Sequence, residues 1–184
     1  MRLGIVLALL TFVQYEARSS PIDKVVIVEA GIYSARTVGD VARPHDPTAI
    51  HTVDRIKLLE STTTVPARKG IRFGFRYVIL GSPKGTNVEL GLAINFPTPG
   101  LHAPGSNTTY LRSEVTAVRT IGSTAYREFH FDHEWEIIPG LWTFEFWYGD
   151  RKVGEQSFCV VQELREKDAE RVAGPEECPG TPVG

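Results

Sequence analysis

The stretch from Pro139 to Val161 constrains this chain more than any other. It reads Pro-Gly-Leu-Trp-Thr-Phe-Glu-Phe-Trp-Tyr-Gly-Asp-Arg-Lys-Val-Gly-Glu-Gln-Ser-Phe-Cys-Val-Val. Trp142, Phe144, Phe146 and Tyr148 alternate with Thr143, Glu145 and Trp147. In an extended chain the first set shares one face and the second set the other. Each buried ring removes about 150–250 Å² from water, so this face can found a hydrophobic core. Gly149-Asp150 then suits the turn of a hairpin, because positive φ is cheap for Gly and tolerable for Asp. Trp147 falls on the face away from the core, where the ring either marks a contact surface for a partner or is covered by the C-terminal tail.

The same two-residue period runs through most of the chain, which argues for strands rather than helices. Strands are expected over Lys24–Ser34, Asp54–Val65, Ile71–Leu80 and Val88–Phe96, and again over Thr109–Thr120, Ala125–Glu134, Leu141–Tyr148 and Val153–Gln162. Gly81-Ser82-Pro83-Lys84-Gly85 and Gly122-Ser123 read as turns, and Pro97 to Asn107 as a loop. The stretch holding Pro44 and Pro47 is too irregular for a central strand. The pattern is all-β. It fits an immunoglobulin-like antiparallel β-sandwich of about seven or eight strands with a short C-terminal tail. A closed barrel is the alternative.

The ends differ from this body. Arg2 and the uncharged run Leu3 to Val13 precede Ala17-Arg18-Ser19, the order of an export signal with cleavage after Ser19. The expected organisation is a signal peptide at 1–19, a β-sandwich domain at 20–162 and a polar tail at 163–184. The apolar run is shorter than the roughly 20 residues that a bilayer-crossing helix needs. The expected product is therefore periplasmic or secreted, with no transmembrane segment in the mature chain. The whole chain carries a formal charge of −2. It lacks the basic balance that a nucleic-acid partner selects. Cys159 and Cys178 either pair, as an oxidising compartment allows, or stay as two free thiols. With Phe158 and Val160 facing the core, Cys159 faces outward, where a returning tail can reach it.

Chemistry is sparse. The best metal candidate is His130, Asp132 and Glu134, which share one face if the strand runs on through them. A solvated polar face gives the same alternation. His133-Glu134-Trp135-Glu136-Ile137 lacks the second His of a zinc-protease helix. His45, His51 and His102 read as surface residues. No Gly-x-Ser-x-Gly elbow, phosphate loop or activated cysteine is evident, and no cofactor is implied. Arg72 and Arg76 share a strand face and are expected to pair with carboxylates such as Glu89 or Glu114.

Several short motifs occur in a fixed order: Gly31-Ile32-Tyr33, Phe73-Gly74-Phe75-Arg76-Tyr77, Gly81-Ser82-Pro83-Lys84-Gly85 and Phe96-Pro97-x-Pro99-Gly100-Leu101. They continue with Trp135-Glu136-x-x-Pro139-Gly140-x-Trp142-Thr143-Phe144, then Gly149-Asp150-Arg151-Lys152 and Gln156-Ser157-Phe158. Together they resemble the bacterial domain of unknown function numbered 3859, over roughly Glu29 to Val161. The resemblance implies a bacterial, often exported protein. It brings no activity and no site residues, and the two cysteines are not part of its pattern. The function expected from all this is an exported, non-enzymatic β-sandwich module that binds a protein or glycan partner in the bacterial envelope. The alternative is a periplasmic protein binding a metal or small ligand on the His130/Asp132/Glu134 face.

Overall fold

A computed structural model describes residues 21–43, 46–162 and Cys178. The expected signal segment, His45 and the tail beyond Gln162, apart from Cys178, lie outside the described residues. The strands are β1 (Ile22–Arg43), β2 (Asp46–Glu60), β3 (Thr64–Pro66), β4 (Arg72–Gly81) and β5 (Asn87–Asn95). They continue with β6 (Arg112–Thr120), β7 (Thr124–His130), β8 (Gly140–Tyr148) and β9 (Arg151–Val161). A short 3-10 turn, Glu134–Glu136, separates β7 from β8. Among the described residues, no helix is long and apolar enough to cross a membrane.

The strands form two sheets, one ordered β2-β1-β4-β7 and one ordered β3-β9-β8-β5-β6. Pairing is antiparallel except between β3 and β9, which run parallel. Alternation explains the core between the sheets. Phe73, Phe75 and Tyr77 of β4 and Phe129 of β7 face Trp142, Phe144 and Phe146 of β8 and Phe158 of β9, and all are buried. Phe73 sits at the centre, with ring centroids 5.3 Å from Phe131, 5.8 Å from Trp142 and 5.2 Å from Phe158. The aromatic face of β8 is thus core, and its hairpin to β9 turns at Gly149, which takes φ 55°.

Three expectations need correction. Among the described residues there are nine strands, because the Asp54–Val65 stretch divides into the end of β2 and the short β3. The Pro44–Pro47 region does not interrupt the strands for long: β1 extends to Arg43 and β2 begins at Asp46. β2 is an edge strand, so the expectation that this region is no central strand holds, and only the strand lengths differ. Finally, β7 ends at His130 rather than Glu134. The Asp132 amide turns back to the His130 carbonyl at 3.0 Å, and the Glu136 carboxylate accepts the His133 amide at 2.7 Å. These local bonds take the backbone out of the ladder.

The first half of β1 pairs with β4 and the second half with β2. The β1–β2 hairpin therefore extends beyond the ladder with β4. Its register with itself shifts repeatedly, between Ile32 and Tyr33, Ser34 and Arg36, Thr37 and Gly39, and Val41 and Arg43. Such bulges bend and twist a strand pair. The hairpin brings Thr37 to Arg72 of β4 and His51 to Asp132, just past β7.

Candidate functional site

Two places collect polar side chains, one on each sheet. The first lies where the β1–β2 hairpin meets the end of β7. His51 Nδ1 is 2.7 Å from Asp40 Oδ1, its cross-strand partner, and His51 Nε2 is 2.7 Å from Asp132 Oδ2. The other oxygen of Asp132 is 2.8 Å from His130 Nδ1. The two imidazole centroids are 5.8 Å apart. His51, His130 and Asp132 thus place one ligand-type atom each within 4.8 Å of one another. Glu134, expected beside them, is exposed on the 3-10 turn and outside this group. His51, expected as a surface residue, is instead only 13 % exposed.

The surroundings are charged but compensated. Arg72 pairs with Glu128, and both side chains are nearly buried. The Arg72 guanidinium also donates to Thr37 at 3.0 Å and lies 3.3 Å from His130 Nδ1. Burial first, and the Arg72 charge second, hold the His130 imidazole below its ordinary pKa. Tyr126 donates to Glu128 at 2.7 Å, and burial beside that carboxylate pushes its phenol well above the ordinary range. Next to it, Tyr33 donates to Glu29 at 2.9 Å, and Arg76 lies 3.3 Å from the same carboxylate. Arg72 and Arg76 therefore find Glu128 and Glu29, not Glu89 or Glu114, which lie on β5 and β6 of the other sheet. A cleft of about 150 Å³, lined by Thr48, Ile50, Ser113, Glu128 and the two histidines, opens beside the cluster.

The second place is the outer face of the five-stranded sheet, around Trp147. The residue lies opposite Gly91 of β5. A Cβ on Gly91 would come within 3.2 Å of the Trp147 Cβ and 3.4 Å of its carbonyl oxygen, so the glycine lets the two strands approach closely here. The indole N–H donates to Glu145 Oε2 at 3.0 Å, and the Arg112 guanidinium sits 5.8 Å from the ring centroid. Arg112 donates to Glu145 and to Asn95, each at 2.6 Å, and also pairs with Glu114. Burial would raise the Glu145 carboxyl, but hydrogen bonds from Arg112, Trp147 and Asn95 and the Arg112 charge outweigh it and hold its pKa below the usual range. An open groove of about 640 Å³ runs here past Arg112, Thr116, Trp147 and Asp150.

On β9 of the same sheet, Cys159 is half-buried between the fully buried Phe158 and Val160. It is disulfide-bonded to Cys178, with Cα atoms 5.5 Å apart. Of the two open readings of the cysteines, the pair is the one present. It ties Cys178 to β9, the strand beside the edge strand β3.

The fold agrees with what the chain resembles. A crystal structure of an immunoglobulin-like protein from Pseudomonas aeruginosa is similar, with a TM-score of 0.52 and 25 % identity, over 79 % of this chain and 99 % of that one. Comparison with curated proteins finds no match. The motifs that alternate through both sheets fall within residues 21–160, which match the model of the family described as Domain of unknown function (DUF3859), and the chain belongs to that family.

Proposed function

We propose that this protein is an exported, non-enzymatic module of the bacterial envelope that binds a glycan across the outer face of its five-stranded sheet. The observation that carries this reading is the placement of Trp147. Trp147 sits across from Gly91 of the neighbouring strand, with Arg112 and Glu145 beside its indole, in an open groove. A sugar presents an apolar C–H face and a rim of hydroxyls. An indole meets the first, and a guanidinium–carboxylate pair meets the second with charge-assisted hydrogen bonds. A protein partner would favour a more apolar patch depleted of charge at its centre. Export is supported by the Cys159–Cys178 disulfide, which persists in oxidising compartments, and by the apolar run from Leu3 to Val13.

Calorimetric titration of the chain with soluble envelope glycan fragments tests the binding. Saturable binding is expected, and Trp147→Ala should weaken it by about 30-fold, the scale of an interface hot spot. The melting temperature should hold within about 2–4 °C, the shift of roughly 1 kcal/mol in a domain of this size. Unchanged binding by the variant, or a collapse in its stability, would sink the reading. Export has its own check: recovery of the protein in the cytoplasmic rather than the periplasmic fraction of the bacterium.

A further inference from the structure

We propose that His51, His130 and Asp132 form a binding site for one divalent transition-metal ion that clamps the β1–β2 hairpin to the end of β7. This goes beyond the glycan reading, which involves the other sheet and does not depend on it.

The ligand set comes from two separate segments of the chain. His51 lies on β2, His130 is the last residue of β7, and Asp132 follows in the turn. The three donor atoms already converge within 4.8 Å. Donors bound at about 2.1 Å around a tetrahedral ion lie about 3.4 Å apart. The 2.7 and 2.8 Å contacts of Asp132 with the two imidazoles would therefore open by under ~1 Å to admit the ion.

With neutral imidazoles, hydrogen bonding does not satisfy this cluster; an imidazolium at His51 would donate to both carboxylates, and a metal ion is the other cation that fits there. A neutral imidazole has one N–H, yet both nitrogens of His51 face carboxylates, Asp40 on Nδ1 and Asp132 on Nε2. His130 Nδ1 faces the Asp132 carboxylate and the Arg72 guanidinium together, and it cannot donate to one while accepting from the other. A metal on His51 Nε2 and His130 Nδ1 resolves both conflicts. Asp40 then holds His51 through Nδ1–H, the outer-shell carboxylate that orients many metal-bound histidines. Arg72 is the neighbour that opposes a cation. Its charge is compensated by Glu128, and it keeps Glu128 and Thr37 as partners when it gives up His130.

The donor chemistry narrows the ion. Two imidazoles and one carboxylate suit zinc, copper, nickel or ferrous iron, whereas calcium and magnesium select oxygen. Three protein ligands leave a fourth position, and the cleft of about 150 Å³ beside the cluster gives access to it.

The test is a titration of the chelator-treated chain with Zn²⁺ alone. One ion per chain is expected. His51→Gln and His130→Gln should each weaken binding at least about 100-fold, and Asp40→Asn about 10-fold, the range for outer-shell partners. His133→Gln, on the exposed histidine nearby, should change nothing. Nitrogen NMR of the unsubstituted chain removes any dependence on variants that fail to fold. On addition of Zn²⁺ it should shift His51 Nε2 and His130 Nδ1 and leave His102 unmoved. Zn²⁺ should also slow hydrogen exchange of the β2 amides, as a clamp requires. No stoichiometric binding, equal loss in His133→Gln, or shifts confined to other histidines would overturn the site. Binding without protection of β2 would overturn the clamp.

Discussion

Arg72 on β4 and Glu128 on β7 form an ion pair whose side chains are only 6 % and 9 % exposed, on the outer face of the four-stranded sheet. Such a pair lies under cover because the β1–β2 hairpin brings Thr37 and His51 over it. Glu128 also accepts from Tyr126, so both charges are enclosed by polar partners.

Breaking this pair on one side should cost far more than removing it. Arg72→Met or Glu128→Leu alone strands a buried charge and should lose about 3–5 kcal/mol. The double variant should recover most of that loss, since apolar residues of similar volume often replace buried ion pairs at little cost. Urea denaturation of the two single variants and the double variant gives the coupling directly. Additive losses would show that the two charges do not act as a pair.

The disulfide should act mainly on the unfolded chain. Cys159 and Cys178 are 19 positions apart, and closing a loop of that length is worth about 3 kcal/mol in the chain-entropy view. Cys178→Ser should lower stability by that amount under non-reducing conditions. The unsubstituted protein should fall to the same level in strong reductant. If the variant is also destabilised further by reductant, the loss has another source.

Glu145 predicts the sign of one part of the acid response. Its folded-state pKa lies below the ordinary glutamate value. Its contribution is therefore fully present above the unfolded pKa, about 4.3, and is lost as pH falls through the depressed folded value. Glu145→Gln should lower stability at neutral pH and flatten the decline below about pH 4.3. Parallel stability curves for the variant and the parent, measured from pH 7 to pH 2, would show that Glu145 carries no such linkage.

The legible parts of the fold were local. Period-two alternation over Phe73, Phe75 and Tyr77, and over Trp142, Phe144 and Phe146, placed the core faces, because each strand needs one side out of water. The outward Cys159 followed from the same alternation, and the Gly149 turn from the ease with which glycine takes positive φ. The missed parts turned on competition between bonds. Within Asp132–Glu136 the chain gains turn and capping hydrogen bonds in place of ladder bonds, so Glu134 left the face it was assigned. The lengths of β1 and β2 were missed as well, because the edge position of β2 tolerates Pro47 within a strand.

Local patterns in the chain thus specify that it is built of strands, which side of most of them is buried, and that Cys159 is available to pair. These are properties of neighbouring residues, carried by a fixed two-residue pleat. Only the tertiary structure decided that Arg72 meets Glu128 rather than Glu89 or Glu114, and that His51 joins His130 and Asp132. Those meetings depend on which strands lie side by side and on how far the bulged β1–β2 hairpin bends. Strand order and hairpin curvature come from packing the whole sandwich, and no local pattern in the chain encodes them.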